Sequence, residues 1–398
     1  MSTKLGHWPI AVRIGLVYVL ARIVTTLMMV AATVFAVEGT RFGPDASLAD
    51  FIVGWDAQWY WWVAVNGYPT ELPTLPNGRV TENAWAFLPV FAWLAKMLGA
   101  VVGSWGAGAF LISFAAGYAA MLMLYRLMLP TIGSRAALWT VVLVSSGPLA
   151  ALFQVGYAES LGLLLLLVGL WAVQRRRWWW LYLVIPVLAF TRPGILAFAL
   201  FLGLYGVVRW FQRHKDPLLR STIVHLVAAA GLATVLGFAW PVIAGVVTGT
   251  PDAYLLTELS WRRNWSHTEP QAFFPFEGWF MAARFWLSLW GLPPWLGAVV
   301  VIGLFIGTAA LLFLPRRVRA LGVETRLWSA SYALYIFAVF YPQSSTLRLL
   351  FPLTPLWGAV VVDRSRTWRI TMLVIVVAAQ WLWIWNMYAL GNTFWRVP

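Results

Sequence analysis

Long apolar runs broken by short arginine-rich segments constrain this chain more than any other feature of its sequence. The basic segments that separate these runs are 174–177, 209–220, 316–326 and 363–369. About 20 consecutive apolar residues can cross a bilayer as a helix, and basic loops remain preferentially on the cytoplasmic side. The pattern therefore predicts an all-α polytopic membrane protein that crosses the cell membrane several times.

The composition excludes an ordinary water-soluble domain. Of the 398 residues, 61% are hydrophobic and only 11% are charged, whereas soluble domains carry roughly 25% charged residues. The net charge of +14 would suggest a nucleic-acid partner on a soluble protein. Here the arginines lie in the loops between apolar runs, so we expect them to set membrane topology and expect no nucleic-acid partner.

The positions of the basic loops predict about eleven transmembrane helices in one integral membrane domain, 1–398. Counting segment 86–102 as a full crossing would place the basic segment 175–177 on the outside, so it is interpreted as re-entrant or interfacial. The hairpin 178–208 counts as two crossings, broken at 191–194 by a Pro-Gly pair. The predicted spans are 9–37, 106–127, 136–152, 159–173, the hairpin, 221–247, 295–314, 327–340, 349–362 and 370–388.

Two polar loops are expected on the extracytoplasmic side, at 38–85 and 248–283. Both are rich in acidic residues, and smaller polar segments near Glu159, Arg192 and 341–348 fall on the same side. Arg262 and Arg263, in the second loop, are interpreted as ordinary solvated charges. Since the basic inner loops are too short to fold alone, the active surface should be extracytoplasmic.

The first external loop contains a tryptophan-rich stretch, Trp55–Asn66, without Gly or Pro. A helix of this length rises roughly 18 Å, well short of the roughly 30 Å of a hydrocarbon core, so it cannot span the membrane. Trp and Tyr favour the headgroup level, which predicts a helix lying on the membrane surface. That helix presents Asp56, either as a reactive carboxylate or merely as a charge at the helix start.

Several kinds of catalytic machinery are absent from the sequence. It has no phosphate-binding Gly-x-x-x-x-Gly-Lys-Ser/Thr loop, no His-Glu-x-x-His, no Asp-x-Asp and no cysteine. Neither ATP nor a nucleotide sugar is indicated. We expect no cofactor and no metal site, although metal dependence is left open.

Three charged residues stand at the edges of apolar runs: Glu159, Arg192 and Arg348. A charge at the centre of a membrane helix costs about 2.5–3.5 kcal/mol, so such residues usually face a cavity. Alternatively, the arginines snorkel to the interface and Glu159 serves as a helix N-terminal charge. Taken jointly, one acid, external arginines and an aromatic surface suit a lipid-linked sugar phosphate, with arginine gripping the phosphate and the carboxylate accepting a proton.

The same residues resemble the signature of PIG-V-like mannosyltransferases, of the GT-C membrane glycosyltransferase superfamily. The first motif, Trp55-Asp56-Ala57-Gln58-Trp59-Tyr60 followed by Gly67-Tyr68-Pro69, is fairly specific. The overall pattern is closest to shorter bacterial, actinobacterial-type members. Weaker matches are Glu82 with Ala86-Phe87-Leu88-Pro89, Gly156-Tyr157-Ala158-Glu159-Ser160, Thr191-Arg192-Pro193-Gly194 and Arg348-Leu349-Leu350-Phe351-Pro352.

The resemblance implies a GT-C helical bundle and an inverting mannosyl transfer from polyprenyl-phosphate mannose to a glycolipid or lipoglycan acceptor. Asp56 would be the general base, and Arg348 and Arg192 would bind the donor phosphate. The remaining expected substrate contacts are Trp55, Gln58, Trp59, Tyr60, Glu82, Tyr157, Glu159, Gln343 and His267.

Other functions remain open at this point. A close alternative is a transferase for another polyprenyl-phosphate sugar, such as arabinose, or one that mannosylates protein hydroxyls. An alternative of another class is a lipid or glycolipid transporter, which would use the same arginines without needing a base. Transporters commonly show related halves, and no internal repeat is evident in this sequence.

Overall fold

The computed structural model describes residues 8–266 and 273–393, and the side chains of these residues except 263–266. Every regular element in that part of the chain is a helix, apart from an isolated bridge between Thr74 and Val80. The predicted all-α class is therefore confirmed for the described residues.

Seventeen α-helices occur in the described residues. In chain order they are α1 Ile10–Val34, α2 Leu48–Val53, α3 Asp56–Asn66, α4 Pro89–Val102, α5 Trp105–Ser145, α6 Glu159–Gln174, α7 Trp179–Ala189, α8 Ile195–Phe211, α9 Arg220–Thr248, α10 Ala253–Ser266, α11 Glu277–Leu289, α12 Leu296–Phe313, α13 Arg316–Arg319, α14 Val323–Val339, α15 Thr346–Leu349, α16 Gly358–Val361 and α17 Arg366–Ile384. Short 3₁₀ helices cover Ala84–Ala86, Ala150–Phe153 and Phe351–Trp357, and a π-helical turn covers Trp385–Ala389.

Five helices of the described chain are long and apolar enough to cross a membrane: α1, α5, α9, α12, and α17 with the turn that follows it. Several others are apolar but shorter, namely α4, α6, α7, α8 and the segment Phe351–Val361. The chain is thus a helical protein with membrane-spanning character. The count of about eleven spans stays a prediction.

Two predicted spans differ in the structure. The expected span 136–152 ends as a helix at Ser145, because Gly147 and Pro148 follow directly and neither continues a helix. It also belongs to α5, which is broken at Gly133, where φ is 75° and ψ is 165°. The expected span 349–362 is not one helix, since Pro352 and Pro355 lie in a 3₁₀ segment before the single turn α16.

The predicted hairpin break is confirmed. Helix α7 ends at Ala189 and α8 begins at Ile195, and the chain turns at Gly194 with φ of 121°, a conformation that favours glycine. The break places Arg192 in the turn between α7 and α8 rather than within one helix.

Segment 86–102 contains α4, whose 14 residues rise about 21 Å, less than the thickness of a hydrocarbon core. Helix α4 turns back onto α5 through Gly103, and the two helices touch backbone to backbone at Gly99 and Gly108. A Cβ atom on Gly108 would lie 2.4 Å from the carbonyl oxygen of Ala95. Helix α4 packs separately against α3, the helix that carries Asp56, where the rings of Phe91 and Tyr60 meet.

We predict that Gly108→Ala lowers the free energy of unfolding by about 1–3 kcal/mol, because the added methyl group overpacks a contact between two backbones. Gly203→Ala is the matched control, since Gly203 lies inside α8 with open space around its Cα. Alanine there should be neutral or stabilising by about 0.5–1 kcal/mol. Unfolding of both variants in detergent micelles measures the difference, and equal shifts would contradict the proposed contact.

Candidate functional site

The Asp56-bearing helix begins at an unusual turn. Trp55, the residue before α3, has φ of 55° and ψ of −126°, a region that side chains rarely adopt and that typically costs of order 1–3 kcal/mol. Its indole N–H donates to the carbonyl oxygen of Met387 at 3.0 Å. Gly54 supports the turn, because a Cβ there would lie 2.5 Å from the ring of Phe42. The predicted helix is confirmed, and tertiary contacts fix its start.

Four charged side chains from four separate segments meet beside this turn, and we call them the charge cluster: Asp56, Arg348, Glu159 and Arg192. The Nη1 atom of Arg348 pairs with Asp56, and it also lies 3.6 Å from Oε1 of Glu159. Glu159 in turn pairs with Arg192. The charges therefore alternate in sign along a continuous chain, and formally they cancel.

The four side chains of the charge cluster differ in their exposure to solvent. The side chain of Glu159 is only 2% exposed, those of Arg348 and Arg192 are 11% and 14% exposed, and that of Asp56 is 28% exposed. A buried charge is tolerated only when it is paired and hydrogen-bonded. Glu159 is thus the central counter-ion for both arginines, while Asp56 is the member that an incoming molecule can reach.

The loop before α6 brings Tyr157 and Glu159 to the cluster. The guanidinium carbon of Arg348 lies 5.3 Å from the centre of the buried Tyr157 ring, within cation–π range. The Ser113 hydroxyl holds this loop by donating to the carbonyl oxygen of Val155 at 2.7 Å. Arg22 of α1 donates to the carbonyl oxygens of Ser145 and Ala150 at the loop's beginning. Positions far along the chain therefore orient these two residues.

This geometry decides between some of the interpretations left open by the sequence. Arg192 and Arg348 do not snorkel, because both are largely buried and paired with carboxylates. Glu159 does lie in the first turn of α6, yet it also holds two arginines. Asp56 does more than mark the start of α3, since it forms an ion pair with Arg348.

A first cavity of about 1250 Å³ lies beside α3 and is also lined by residues of α1, α2 and α5. Its polar lining includes Gln58, Glu82 and Arg41, and Gln58 accepts a hydrogen bond from Arg41. Much of the wall is aromatic or apolar, formed by Trp59, Trp61, Trp62, Trp105, Met29, Phe110 and Leu111, and Asp50, Gln154, Thr26 and Ser104 add further polar groups. Two candidate membrane spans, α1 and α5, contribute residues to these walls, whereas the four side chains of the charge cluster do not line this cavity.

A second cavity of about 650 Å³ lies between α8, α9, α10 and α14. Arg192 and Gln343 line it, and so does Arg262. The interpretation of Arg262 as a solvated loop charge was wrong, because the residue is only 9% exposed. Helix α10 packs inward and carries Arg262 with it, which the loop-like composition of this region did not indicate.

The other predicted contact residues lie around the cluster in different ways. Trp55 is buried and packs toward the C-terminal segment, and Tyr60 is buried between Phe87 and Phe91, with ring centroids 5.3 Å apart in both pairs. Trp59 stacks on Phe87 at 5.6 Å. His267 lies outside the described residues. Whether these side chains touch substrate stays a prediction.

Sequence reasoning missed two residues that the structure brings into the cavities, Arg41 and Arg262. Arg41 lies over the Trp55 ring at 5.2 Å and bonds Gln58, and no local pattern signals this contact. Arg262 offered a usable signal, because Glu258 and Arg262 are four residues apart and must share one face of a helix. That face is the buried one.

Neither a protein-family model nor any curated protein matches this chain at a significant level. Within residues 8–266 and 273–393, no group of three His, Asp or Glu side chains is arranged to hold a metal ion. The resemblance to PIG-V-like enzymes and the expectation of no cofactor therefore stay predictions.

Glu159→Gln should destabilise the protein strongly. It leaves the buried Arg192 without its carboxylate partner and leaves Arg348 with Asp56 alone. Breaking a buried pair by removing one partner typically costs about 3–5 kcal/mol. Glu71→Gln, at an exposed position in the first external loop, should change the free energy of unfolding by less than about 0.5 kcal/mol. Chemical unfolding in detergent compares the two, and a similar small change in both would argue against Glu159 as the central counter-ion.

Glu82 should make stability depend on pH near neutrality. Burial, together with the nearby charge of Asp56, raises the pKa of Glu82 from 4.5 to about 7. A raised carboxyl pKa means that the folded protein holds the proton more tightly, so this contribution to stability is present at low pH and is lost as pH rises from about 4.5 through about 7. Glu82→Gln should remove that loss.

The test is the midpoint of thermal unfolding measured between about pH 4.5 and pH 8. The variant should gain on the wild type as pH rises, and most of the gain should be complete just above pH 7. A difference that stays constant across this range would show that Glu82 does not ionise there.

Proposed function

We propose that this protein is an inverting membrane glycosyltransferase that moves mannose from polyprenyl-phosphate mannose to a glycolipid or lipoglycan on the extracytoplasmic face. The observation that carries the proposal is the charge cluster, in which Asp56 is the most exposed member and Arg192 lines the second cavity. One carboxylate that can be reached and two arginines are the groups that such a transfer needs.

In the proposed reaction, Asp56 accepts the proton of an acceptor hydroxyl while that oxygen attacks the anomeric carbon. The bond from the anomeric carbon to the phosphate oxygen breaks, and polyprenyl phosphate leaves with its electron pair. Because the leaving group is already a stable phosphate, it does not need the second, acidic carboxyl group that glycosidases use. Attack from the face opposite the phosphate inverts the anomeric centre.

The arginines have a distinct role in this scheme. Arg348 carries five N–H donors in a planar fork, so it can hold Asp56 and a phosphate oxygen at once. Its contact with Asp56 and its position over Tyr157 orient that fork. Arg192, held by Glu159, would contribute a second positive charge as the phosphate leaves.

The first cavity supports a lipid acceptor over a protein acceptor. Its walls join residues of two candidate spans, α1 and α5, to the tryptophans of α3, and tryptophan is favoured at the membrane interface. A glycolipid could place its tail along these walls and its hydroxyl near Asp56. Another sugar on the same lipid carrier would fit the same arrangement and is distinguished by product analysis.

Asp56→Asn should reduce transfer by roughly 100-fold or more, the range expected for removal of a general base, while the protein still binds donor. The assay is transfer of radiolabelled mannose from polyprenyl-phosphate mannose to membrane glycolipids by purified protein. Asp45→Asn, at an exposed position in the same loop, is the control and should leave transfer unchanged.

The outcomes separate the alternatives. Equal transfer by wild type and Asp56→Asn would mean that Asp56 has a structural role, and Glu82 would then be tested as the general base. If neither protein transfers any lipid-linked sugar, a glycolipid transporter becomes the better explanation of the two cavities. Label appearing on protein, rather than on lipid, would contradict the proposed acceptor.

A further inference from the structure

Two basic loops have no role in the reaction proposed above. One joins α6 to α7 and the other joins α8 to α9. The carboxylate of Asp216, in the second loop, pairs with Arg176 in the first loop and with Arg209 near the end of α8. One acid therefore connects both loops, and we call residues 175–180 and 210–220 the two-loop surface.

The connection through Asp216 is well defined. The side chain of Arg209 is only 7% exposed, and Arg176 has φ of 55°, a conformation that residues other than glycine rarely adopt. Hydrogen bonds from Arg209 and Arg176 lower the pKa of Asp216, so this carboxylate stays ionised at neutral pH. Glu324, at the start of α14, lies near enough to interact with both arginines. Two acids thus balance two arginines beneath the surface.

The remaining cations of the two-loop surface have no carboxylate partner. They are exposed or half-buried, and in the part of the chain that the structure describes none of them forms an ion pair: Arg175, Arg177, Arg213, Lys215 and Arg220. The guanidinium carbon of Arg213 lies 4.4 Å from the centre of the Trp210 ring, which places this cation beside an aromatic side chain. The surface therefore carries positive charge that the protein itself does not neutralise.

Large aromatic side chains border these cations. Trp179 and Phe211 are each 75% exposed, and Trp180 and Trp210 are exposed as well. The ring of Trp179 lies 5.4 Å from the ring of His225 on α9, a candidate membrane span. Tryptophan is favoured at the level of the lipid headgroups, and a large exposed apolar patch marks an interaction surface. The aromatic residues therefore indicate that the cations lie at the membrane interface.

We propose that the two-loop surface binds anionic phospholipids of the adjoining leaflet, with the unpaired arginines holding the phosphate and the acyl chains lying against Trp210 and Phe211. Arginine matches a phosphate through two parallel N–H donors, and basic segments beside membrane spans attract anionic lipids. A soluble phosphate would leave the aromatic side chains uncovered. Asp216 is a positioning residue, because it fixes the two loops side by side. This inference is independent of the proposed sugar transfer.

The first test uses a photoactivatable phosphatidylglycerol, titrated into phosphatidylcholine nanodiscs that contain the purified full chain. Cross-links mapped by mass spectrometry should fall in residues 175–180 and 210–220. They should appear at a lower mole fraction than with photoactivatable phosphatidylcholine. Equal labelling of these segments by the two lipids would overturn the proposal, because it would show that the cations do not select the headgroup.

The second test removes two cations from one loop and follows labelling of the other. Arg175→Gln with Arg177→Gln should raise the mole fraction needed for half-maximal labelling of residues 210–220 by about tenfold or more, since each basic side chain near an anionic surface contributes roughly fivefold. Arg316→Gln with Arg319→Gln, at exposed positions on α13, is the matched control and should change it little. An equal shift in both pairs would mean that net charge alone attracts the lipid, and the site would be rejected.

Asp216→Asn separates a built surface from a simple excess of charge. The change makes the loop more positive but disconnects the two loops, so the proposal predicts weaker labelling of both segments. Unchanged or stronger labelling would contradict it. Thermal unfolding shows whether the variant is folded, and the arginine pair decides the question if it is not. Inorganic phosphate at constant ionic strength should not displace the lipid; displacement would identify soluble phosphate as the ligand instead.

Discussion

The whole arrangement depends on Arg348 lying between two carboxylates. Buried alone, a guanidinium would be prohibitively unstable in an apolar bundle, and buried carboxylates would be equally costly. Alternation of sign along Asp56, Arg348, Glu159 and Arg192 avoids both penalties. Because each charge is balanced by its neighbour, the cluster can remain at the centre of an otherwise hydrophobic protein and still present one carboxylate at its edge.

Neutrality of the cluster has a consequence for ligand binding. A phosphate that approaches Arg192 or Arg348 must share an arginine that is already paired with a carboxylate. It also adds negative charge to a cluster whose formal charges cancel. Arg262 lines the second cavity from α10, a helix that takes no part in the cluster, and the acids Glu258 and Glu277 lie near enough to act on its charge. The exposed loops therefore contribute to the site through a helix that packs inward, and not only through side chains in solvent.

Local pattern was sufficient for elements whose structure is set by their own residues. The Trp-rich helix lacks Gly and Pro between Trp55 and Asn66, and the hairpin break follows from Pro193 and Gly194; both could be predicted and both are confirmed. The prediction of a membrane span at 349–362 was wrong, because it gave more weight to the apolar composition than to Pro352 and Pro355.

Long-range contacts could not be read from the sequence in the same way. Asp56 and Arg348 were each singled out, yet their pairing spans 292 positions and is set by tertiary packing. The buried state of Arg262 and the bond between Arg41 and Gln58 are of the same kind. Residue type and motif can nominate the members of such a site, whereas their connections require the folded chain.

The turn at Trp55 also bears on how the molecule is made. The bond from its indole to Met387 joins residues 332 positions apart, and Arg41 donates its backbone N–H to the carbonyl oxygen of Gly391 close by. During synthesis, the helix that carries Asp56 emerges long before these partners exist. Since the strained backbone of Trp55 persists only when its surroundings enforce it, the carboxylate reaches its final position only after segment 387–391 has packed. A nascent chain therefore has no finished site until segment 387–391 has been synthesised and has packed.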